Sequence, residues 1–362
     1  MLDTDDIKRL PDDGSVPAAA KELADALRSG GVVGIPTETV YGLAVRADDD
    51  GAMARLVELK GREATKATTW HVASASALEG FAGFGPRARR LAARYWPGPL
   101  TLVLPGVPAG LERAAKDGWI GVRCPAHSGA RAVLAACDFP VVASSANRSG
   151  ESPCVDAACV RAAFGSELAG LGDGGACRVA EASVVLAIGP GRFEVLREGL
   201  LSREQLVATS GRRIAFVCTG NTCRSPMAEA LARRAVEERV GTRDLASVGF
   251  EVASFGVFAG PGAPASQHSV EAMARRGLDL SRHGASPAVP ERLATFDSIY
   301  GLTRSHVEAL VSILPPRLAG RVELLDPKGR DVPDPVGKDL AEYLRCADAI
   351  EAAIRERAPS WA

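Results

Sequence analysis

The chain has 362 residues, long for one ordinary domain, so two domains are expected. Hydrophobic residues make up 46% and charged residues 24%, the balance of globular domains with real cores and not of a disordered chain. With 43 Lys and Arg against 44 Asp and Glu the formal net charge is −1, which excludes a global basic field for nucleic acid and leaves only local patches.

The opening Met1-Leu2-Asp3-Thr4-Asp5-Asp6 is acidic and polar, unlike a secretory signal. No apolar run is long enough to span a bilayer, so a cytoplasmic protein is expected. The eight cysteines are then expected as reduced thiols. Their spacing is irregular and lacks paired C-x-x-C motifs, so no metal site is expected. Cys124, Cys137, Cys154, Cys159, Cys177 and Cys346 read as small, mostly buried residues.

Apolar runs alternate with amphipathic stretches throughout, which predicts α/β architecture. Ala18 to Leu27 reads as a helix and Gly31 to Ile35 as a buried strand. Leu100 to Leu104 and Val141 to Ala143 read as further strands. Polar strings follow or end these strands: Pro36-Thr37-Glu38-Thr39-Val40-Tyr41-Gly42-Leu43, Lys60-Gly61-Arg62, Trp96-Pro97-Gly98-Pro99-Leu100-Thr101, Gly121-Val122-Arg123-Cys124-Pro125 and Ser144-Ser145-Ala146-Asn147-Arg148-Ser149-Gly150. Loops at strand ends are where sites are built. Lys60, Arg62 and Arg123, with Ser and Thr donors, suit a polyanion such as ATP together with a small carboxylate. Neither a G-x-x-x-x-G-K-[ST] loop nor a convincing G-x-G-x-x-G occurs.

Together these strings resemble the YrdC-type threonylcarbamoyl-AMP synthase family over roughly residues 10–205. The resemblance implies a twisted α/β sheet around a positively lined cavity. It implies that L-threonine, bicarbonate and ATP, with Mg²⁺ bridging the phosphates, give threonylcarbamoyl-AMP and diphosphate. That product would feed tRNA threonylcarbamoyladenosine modification, with tRNA-modification proteins as downstream partners. By motif, Thr39, His71, Arg123, Ala143 and Ser183 would surround threonine. Lys60, Arg62, Lys66, Ser145, Asn147, Ser152 and Arg197 would surround ATP. Three departures stand out: Glu63 in place of Pro after Lys60-Gly61-Arg62, Trp119 where Thr is common, and Ala182 before Ser183.

The domain boundary is placed near residue 210, in the polar segment Ala208-Thr209-Ser210-Gly211-Arg212-Arg213, giving domains 1–208 and 209–362. A fresh strand, Ile214 to Val217, runs into Cys218-Thr219-Gly220-Asn221-Thr222-Cys223-Arg224-Ser225 and then a helix through Met227 to Arg234. Ser225 reads as the N-cap, and Pro226 suits a first turn. Loop amides and the helix N-terminus then converge on one anion site. Cys218 and Arg224 give C-x5-R, a thiolate beneath a phosphoryl group and a bidentate guanidinium beside its oxygens. Gly220 permits close approach of the backbone. Asp334, in Asp331-Val332-Pro333-Asp334-Pro335, is the candidate proton donor.

With Ser254-Phe255-Gly256-Val257, Asp279-Leu280-Ser281 and Thr303-Arg304-Ser305-His306, this stretch resembles the low-molecular-weight protein tyrosine phosphatase family over roughly residues 212–360. The family fold is a small parallel sheet with helices on both faces. The resemblance implies that Cys218 attacks phosphorus and that Arg224 binds the phosphoryl oxygens, with Ser225 supporting the thiolate. Thr219, Gly220, Asn221, Thr222 and Cys223 would complete the phosphate cradle, Asp334 would act as acid then base, and no metal is implied. Thr222 stands where tyrosine-directed members carry an aliphatic residue and protein-arginine phosphatases carry Thr, which favours phosphoarginine over phosphotyrosine. Phe255, Gly284 and Val336 depart from the family pattern. Cys223 either packs or forms a reversible disulfide with Cys218. Two readings of the whole chain follow: a synthase fused to a phosphatase, or a phosphatase fused to a non-catalytic module that binds nucleotide or RNA. Arsenate reduction ranks below both, because only Cys223 is evident as a resolving thiol.

Overall fold

The computed structural model describes residues 7–13, 15, 18–61 and 68–362. Arg62, Glu63 and Lys66 lie outside the described residues, as does the acidic start at 1–6. The chain separates into two compact units, one ending at Leu206 and one spanning Val207–Ala362. Both are α/β, as the sequence predicts.

The first unit carries strands β1 (Ile7–Arg9), β2 (Val33–Ile35), β3 (Gly42–Arg46), β4 (Thr69–His71), β5 (Leu100–Pro105), β6 (Trp119–Arg123), β7 (Val141–Ser145), β8 (Gly170–Asp173), β9 (Val184–Gly189) and β10 (Arg192–Arg197). They form one mixed sheet in the order β1-β8-β2-β3-β7-β4-β6-β5-β9-β10. Its helices are α1 (Ala18–Arg28), α2 (Asp50–Lys60), α3 (Pro86–Tyr95), α4 (Ser128–Ala135) and α5 (Ala157–Phe164), and the division between units falls inside α6 (Arg203–Ser210).

In α1, Ala20, Leu23, Ala24 and Leu27 recur at helical spacing and form its buried stripe. Gly30, at φ 80°, turns the chain out of α1, so β2 begins at Val33 and not at Gly31. Along β3 the side chains alternate: Leu43 and Val45 join a core with Leu56 of α2. Ala44 faces an opposite core with Leu23 and Leu27 of α1 and Val133 of α4. Asp49 caps α2 by accepting from Ala52 N at 2.9 Å, and Gly61 closes it at φ 55°. In the middle of the sheet Thr69 lies opposite both Ala143 and Gly121, and His71 opposite Arg123. Period-two alternation therefore turns Thr69, His71, Gly121, Arg123, Ala143 and Ser145 to one face, above which a cavity opens.

The second unit has strands β11 (Arg212–Cys218), β12 (Phe250–Gly256), β13 (Ser298–Gly301) and β14 (Val322–Leu324), all parallel, in the order β12-β11-β13-β14. Its helices are α7 (Arg224–Val240), α8 (Gln267–Ala274), α9 (Pro290–Leu293), α10 (Arg304–Ile313) and α11 (Leu340–Arg357). Ala215 and Val217 of β11 pack with Leu293, Phe296 and Leu310 on one face. Phe216, between them in sequence, stacks with Tyr300 and meets Trp361 edge-on.

Three expectations are corrected. Cys154 and Cys159 are not free thiols but are joined in a disulfide. Asp156 caps α5 by accepting from Cys159 N at 2.7 Å, and this turn holds the two Cα atoms 5.5 Å apart. Thr209 and Ser210 end helix α6 instead of forming a polar linker. Ser202 and Gln205 cap that helix reciprocally, at 2.9 and 3.3 Å, so it runs on to Ser210. Cys223, not Ser225, is the N-cap of α7, without a side-chain bond, and the Ser225 hydroxyl turns inward to Cys218 at the start of the loop.

Candidate active sites

Strand β11 delivers Cys218 to the C-terminal edge of the small sheet, where α/β folds build their sites. The loop after it is held from outside by its carbonyls. Cys218 O accepts from Val257 N at 2.9 Å, Thr219 O from Phe258 N at 2.9 Å and Thr222 O from Ser266 N at 2.8 Å. Asn221 O accepts from His283 Nε2 at 2.7 Å. Among the described residues the amides of Thr219 to Cys223 meet no acceptor. Carbonyls outward and amides unpaired, at the start of α7, make a nest for an anion.

Asn221 shapes this nest. It is fully buried and sits at φ 55°, a region that Asn tolerates better than most residues. Its Nδ2 donates to Ser225 Oγ and Ser254 Oγ, both at 2.9 Å, and its Oδ1 accepts from Ser286 N at 2.7 Å. Ser225 Oγ lies 3.0 Å from Cys218 Sγ, where a hydroxyl stabilises a thiolate. Beyond Ser254, the Glu229 carboxylate accepts its hydroxyl at 2.7 Å, and burial raises the Glu229 pKa. Gly220 has open space: a Cβ there would meet only Thr222 Oγ1, at 3.7 Å. Close approach is instead required at Gly256, where a Cβ would come within 2.6 Å of Thr219 O.

Arg224 is buried and pairs with Asp334, Nη2 to Oδ2 at 2.6 Å. The structure thus brings the predicted guanidinium and the predicted acid together, with the half-exposed Asp334 carboxylate on the arginine. Asp334 Oδ1 accepts from Val336 N at 3.1 Å. Cys223 Sγ lies 3.4 Å from both Ser266 Oγ and Tyr343 OH, and it and Cys218 are free thiols. His306 closes the Thr303–His306 string, for which the motif implies no role. Its Nε2 meets Thr219 Oγ1 at 3.0 Å and its Nδ1 meets Thr303 Oγ1 at 2.8 Å. Burial, then the nearby Arg224, pushes its pKa down to about 4, so the ring is neutral.

The first unit encloses a cavity of about 620 Å³. His71, Arg123, Ala143, Ser145, Ser183 and Arg197, all predicted, line it. Arg123 Nη2 donates to Thr39 Oγ1 and to Glu38 Oε1, both at 2.7 Å. The Arg123–Glu38 pair is buried, and Glu38 Oε2 also accepts from Ala126 N at 2.8 Å. Glu38 belongs to the Pro36–Leu43 string, whose motif implies no role for it. Thr69 O can only accept, so His71 Nδ1 carries the hydrogen at 2.9 Å and leaves Nε2 as an acceptor. Burial, then Arg123, pushes the His71 pKa down to about 4.

Arg197 and Ser183 had been divided between ATP and threonine, yet Arg197 donates to Ser183 O at 2.8 Å and to Ser183 Oγ at 3.0 Å. Ser183 Oγ also lies 2.9 Å from Thr101 Oγ1, a partner the sequence reading missed. Lys60 is buried beneath the cavity wall. Its ammonium donates to Ser145 O and, at 3.2 Å, to Asn147 Oδ1, so it shapes the Ser145–Asn147 loop from behind. Asn147 and the exposed Ser152 lie outside the cavity lining, although the neighbouring Pro153 is part of it.

The comparisons with known proteins divide at the same place as the two sites. The family model described as Telomere recombination (Sua5/YciO/YrdC) matches residues 25–199, and that of the low molecular weight phosphotyrosine protein phosphatases matches residues 213–360. The chain is 36% identical to a Bacillus subtilis threonylcarbamoyl-AMP synthase, over 52% of this chain and 56% of that one, so it spans about half of that relative's length. A Chromohalobacter salexigens threonylcarbamoyl-AMP synthase is 41% identical, over 40% of this chain and 82% of that one. A Bacillus subtilis protein-arginine-phosphatase is 36% identical, over 40% of this chain and 93% of that one. Among solved structures, Pyrococcus abyssi Sua5 complexed with L-threonine matches with a TM-score of 0.51 and 25% identity, covering 69% of this chain and 92% of that one. The chain therefore belongs to two families, Sua5/YciO/YrdC through its first unit and the low molecular weight phosphotyrosine protein phosphatases through its second.

Proposed function

We propose a bifunctional enzyme, with residues 1–208 making L-threonylcarbamoyl-AMP and residues 209–362 removing phosphoryl groups from protein arginine. The observation that carries it is that each unit presents a separate set of converging groups: hydroxyls, Arg123 and Arg197 at one end of a cavity, and Cys218 beneath a nest of free amides.

In the second unit the Cys218 thiolate attacks phosphorus. Arg224 leaves Asp334 to hold the phosphoryl oxygens, and Asp334 protonates the departing nitrogen as its bond to phosphorus breaks. Asp334 then takes a proton from the water that cleaves the phosphocysteine, which restores the thiolate. Thr222 and the likeness to a protein-arginine-phosphatase favour phosphoarginine over phosphotyrosine. Peptides carrying each group, compared by kcat/KM, should show the wild type preferring phosphoarginine and Thr222→Ile moving that preference roughly ten-fold toward phosphotyrosine, the scale of one lost polar contact. Unchanged selectivity would remove the argument from Thr222.

In the first unit Arg123, Thr39 and Ser183 would hold threonine, and the neutral His71 would accept a hydrogen bond through Nε2. Ser145 and Arg197 would face ATP, so catalysis is by positioning and charge neutralisation while bicarbonate supplies the carbamoyl carbon. Among the described residues no group of three acidic, histidine or cysteine side chains could hold a metal ion. Mg²⁺, as the family resemblance implies, would bridge the ATP phosphates as part of the substrate. A second reading, a non-catalytic module of the same fold, draws on Glu38, which already neutralises Arg123. Diphosphate release from threonine, bicarbonate and ATP separates the two: release above background supports the synthase, and none, with phosphatase intact, supports the module.

A further inference from the structure

Trp119 stands where the synthase family commonly has Thr, and the structure surrounds it with features of a binding surface. Asp117 and Gly118 both have positive φ, 52° and 78°. Lys116 and Trp119 exchange two backbone hydrogen bonds of 2.9 Å across them. This is the two-residue Asp-Gly hairpin turn, and it holds Lys116 and Trp119 side by side at the outer end of β6. Both side chains line the cavity. The indole is braced from two directions. The Arg192 guanidinium lies over its ring at 4.9 Å and is itself gripped by Glu194 at 2.8 and 3.0 Å. A Cβ at Gly189 would come to 3.0 Å from the far edge of the indole, so that edge rests on a backbone with no side chain.

The position of Trp119 in the sheet matters as much as its packing. Arg123 lies four residues inward on the same strand, about 13 Å at the rise of a β-strand. Gly121 lies between them on the same face, and its missing side chain keeps the path open: a Cβ would approach Thr69 Oγ1 to 3.4 Å. Ser145 is two residues outward from Ala143, and Trp119 is two residues outward from Gly121. Because Ala143 and Gly121 both face Thr69, Ser145 and Trp119 stand at one level, two strands or about 10 Å apart. The cavity thus offers three separated anchors: a cation for a carboxylate, hydroxyls for phosphate and a braced aromatic ring.

We propose that Trp119 is the platform on which the purine base of the nucleotide substrate stacks, with Lys116 and Arg192 framing it. This rests on the synthase reading and assigns the third anchor to the base. An aromatic ring offers a π-face to a base, which Thr cannot. The nucleotide then bridges the anchors, its phosphates toward Ser145 and its reacting end toward Arg123.

The test is calorimetric titration of the full chain with AMP, with ATP and, separately, with L-threonine. Trp119→Ala should weaken AMP binding by about ten-fold or more, the scale of one lost base–aromatic stack, with threonine affinity within about two-fold of wild type. Trp119→Phe keeps a ring and should bind AMP within about three-fold of wild type. AMP affinity in Trp119→Ala equal to wild type, or in Trp119→Phe as weak as in Trp119→Ala, would overturn the platform alone. If the Ala variant loses threonine binding as well, the Phe variant decides the question. A wild type that binds neither AMP nor ATP would overturn the synthase reading, and the platform with it.

Discussion

Asn221 controls the shape of the Cys218–Ser225 loop through both its backbone and its amide. Alanine at φ 55° is strained by about 1–2 kcal/mol, and the lost bonds to Ser225, Ser254 and Ser286 leave buried groups unpaired at about 1–3 kcal/mol. Asn221→Ala should therefore destabilise the second unit by about 2–4 kcal/mol and slow phosphatase turnover, while Asn221→Gly should recover only the backbone part, about 1–2 kcal/mol. Urea unfolding of both variants checks this, and equal stabilities would mean that the backbone carries no strain. In the first unit His71 titrates near 4 when folded and near 6.5 when unfolded. Between those values the unfolded chain binds the proton and the folded one does not, so stability falls as pH drops from about 6.5 to 4, by up to about 3 kcal/mol. A melting series at pH 7 and pH 5 should show this loss, and His71→Gln should flatten it; an unchanged slope would show that His71 is not its source. Residue types were legible here and residue environments were not. The C-x5-R spacing names Cys218 and Arg224 as candidates, but the left-handed φ of Asn221 depends on partners 33 to 65 residues away. Lys60 was legible as a cation, whereas its burial behind Ser145 depends on how α2 ends at Gly61.

At the scale of elements, periodicity located the strands and helices well and their ends poorly. Strand β11 starts two residues earlier than its apolar run, because Arg212 and Arg213 pair in the ladder with Phe250 and Glu251 of β12. Helix α6 was missed although its Ser202–Gln205 capping pair is visible in sequence, since the polar end of the helix reads like a linker. The Cys154–Cys159 disulfide was missed because the absence of a signal argued for thiols, while the turn capped by Asp156 places the two together. The aromatic group on one face of β11 shows how a distant element completes the small sheet. Trp361 is fully buried, donates from Nε1 to Tyr300 OH at 3.0 Å and meets the rings of Phe216 and Tyr300. Trp361→Ala should cost the second unit about 3–5 kcal/mol, the range for removing a large buried aromatic side chain. A loss below about 1 kcal/mol in urea unfolding would show that the site collapses around the gap.

At the scale of the whole chain, two families meet in one polypeptide, each with its own site-bearing unit. Both family resemblances could be read from motifs, because those strings are local. The pairing of Arg123 with Glu38 and of Arg224 with Asp334 could not, because each joins segments 85 or more residues apart. Independence of the two chemistries is the central claim, and a crossed assay tests it most directly. Diphosphate release and phosphoarginine hydrolysis should be measured together in the wild type, in Cys218→Ser and in Arg123→Ala. The prediction is that Cys218→Ser abolishes hydrolysis and leaves diphosphate release unchanged, while Arg123→Ala does the reverse. A wild type that releases no diphosphate, or variants in which both activities fall together, would contradict the account.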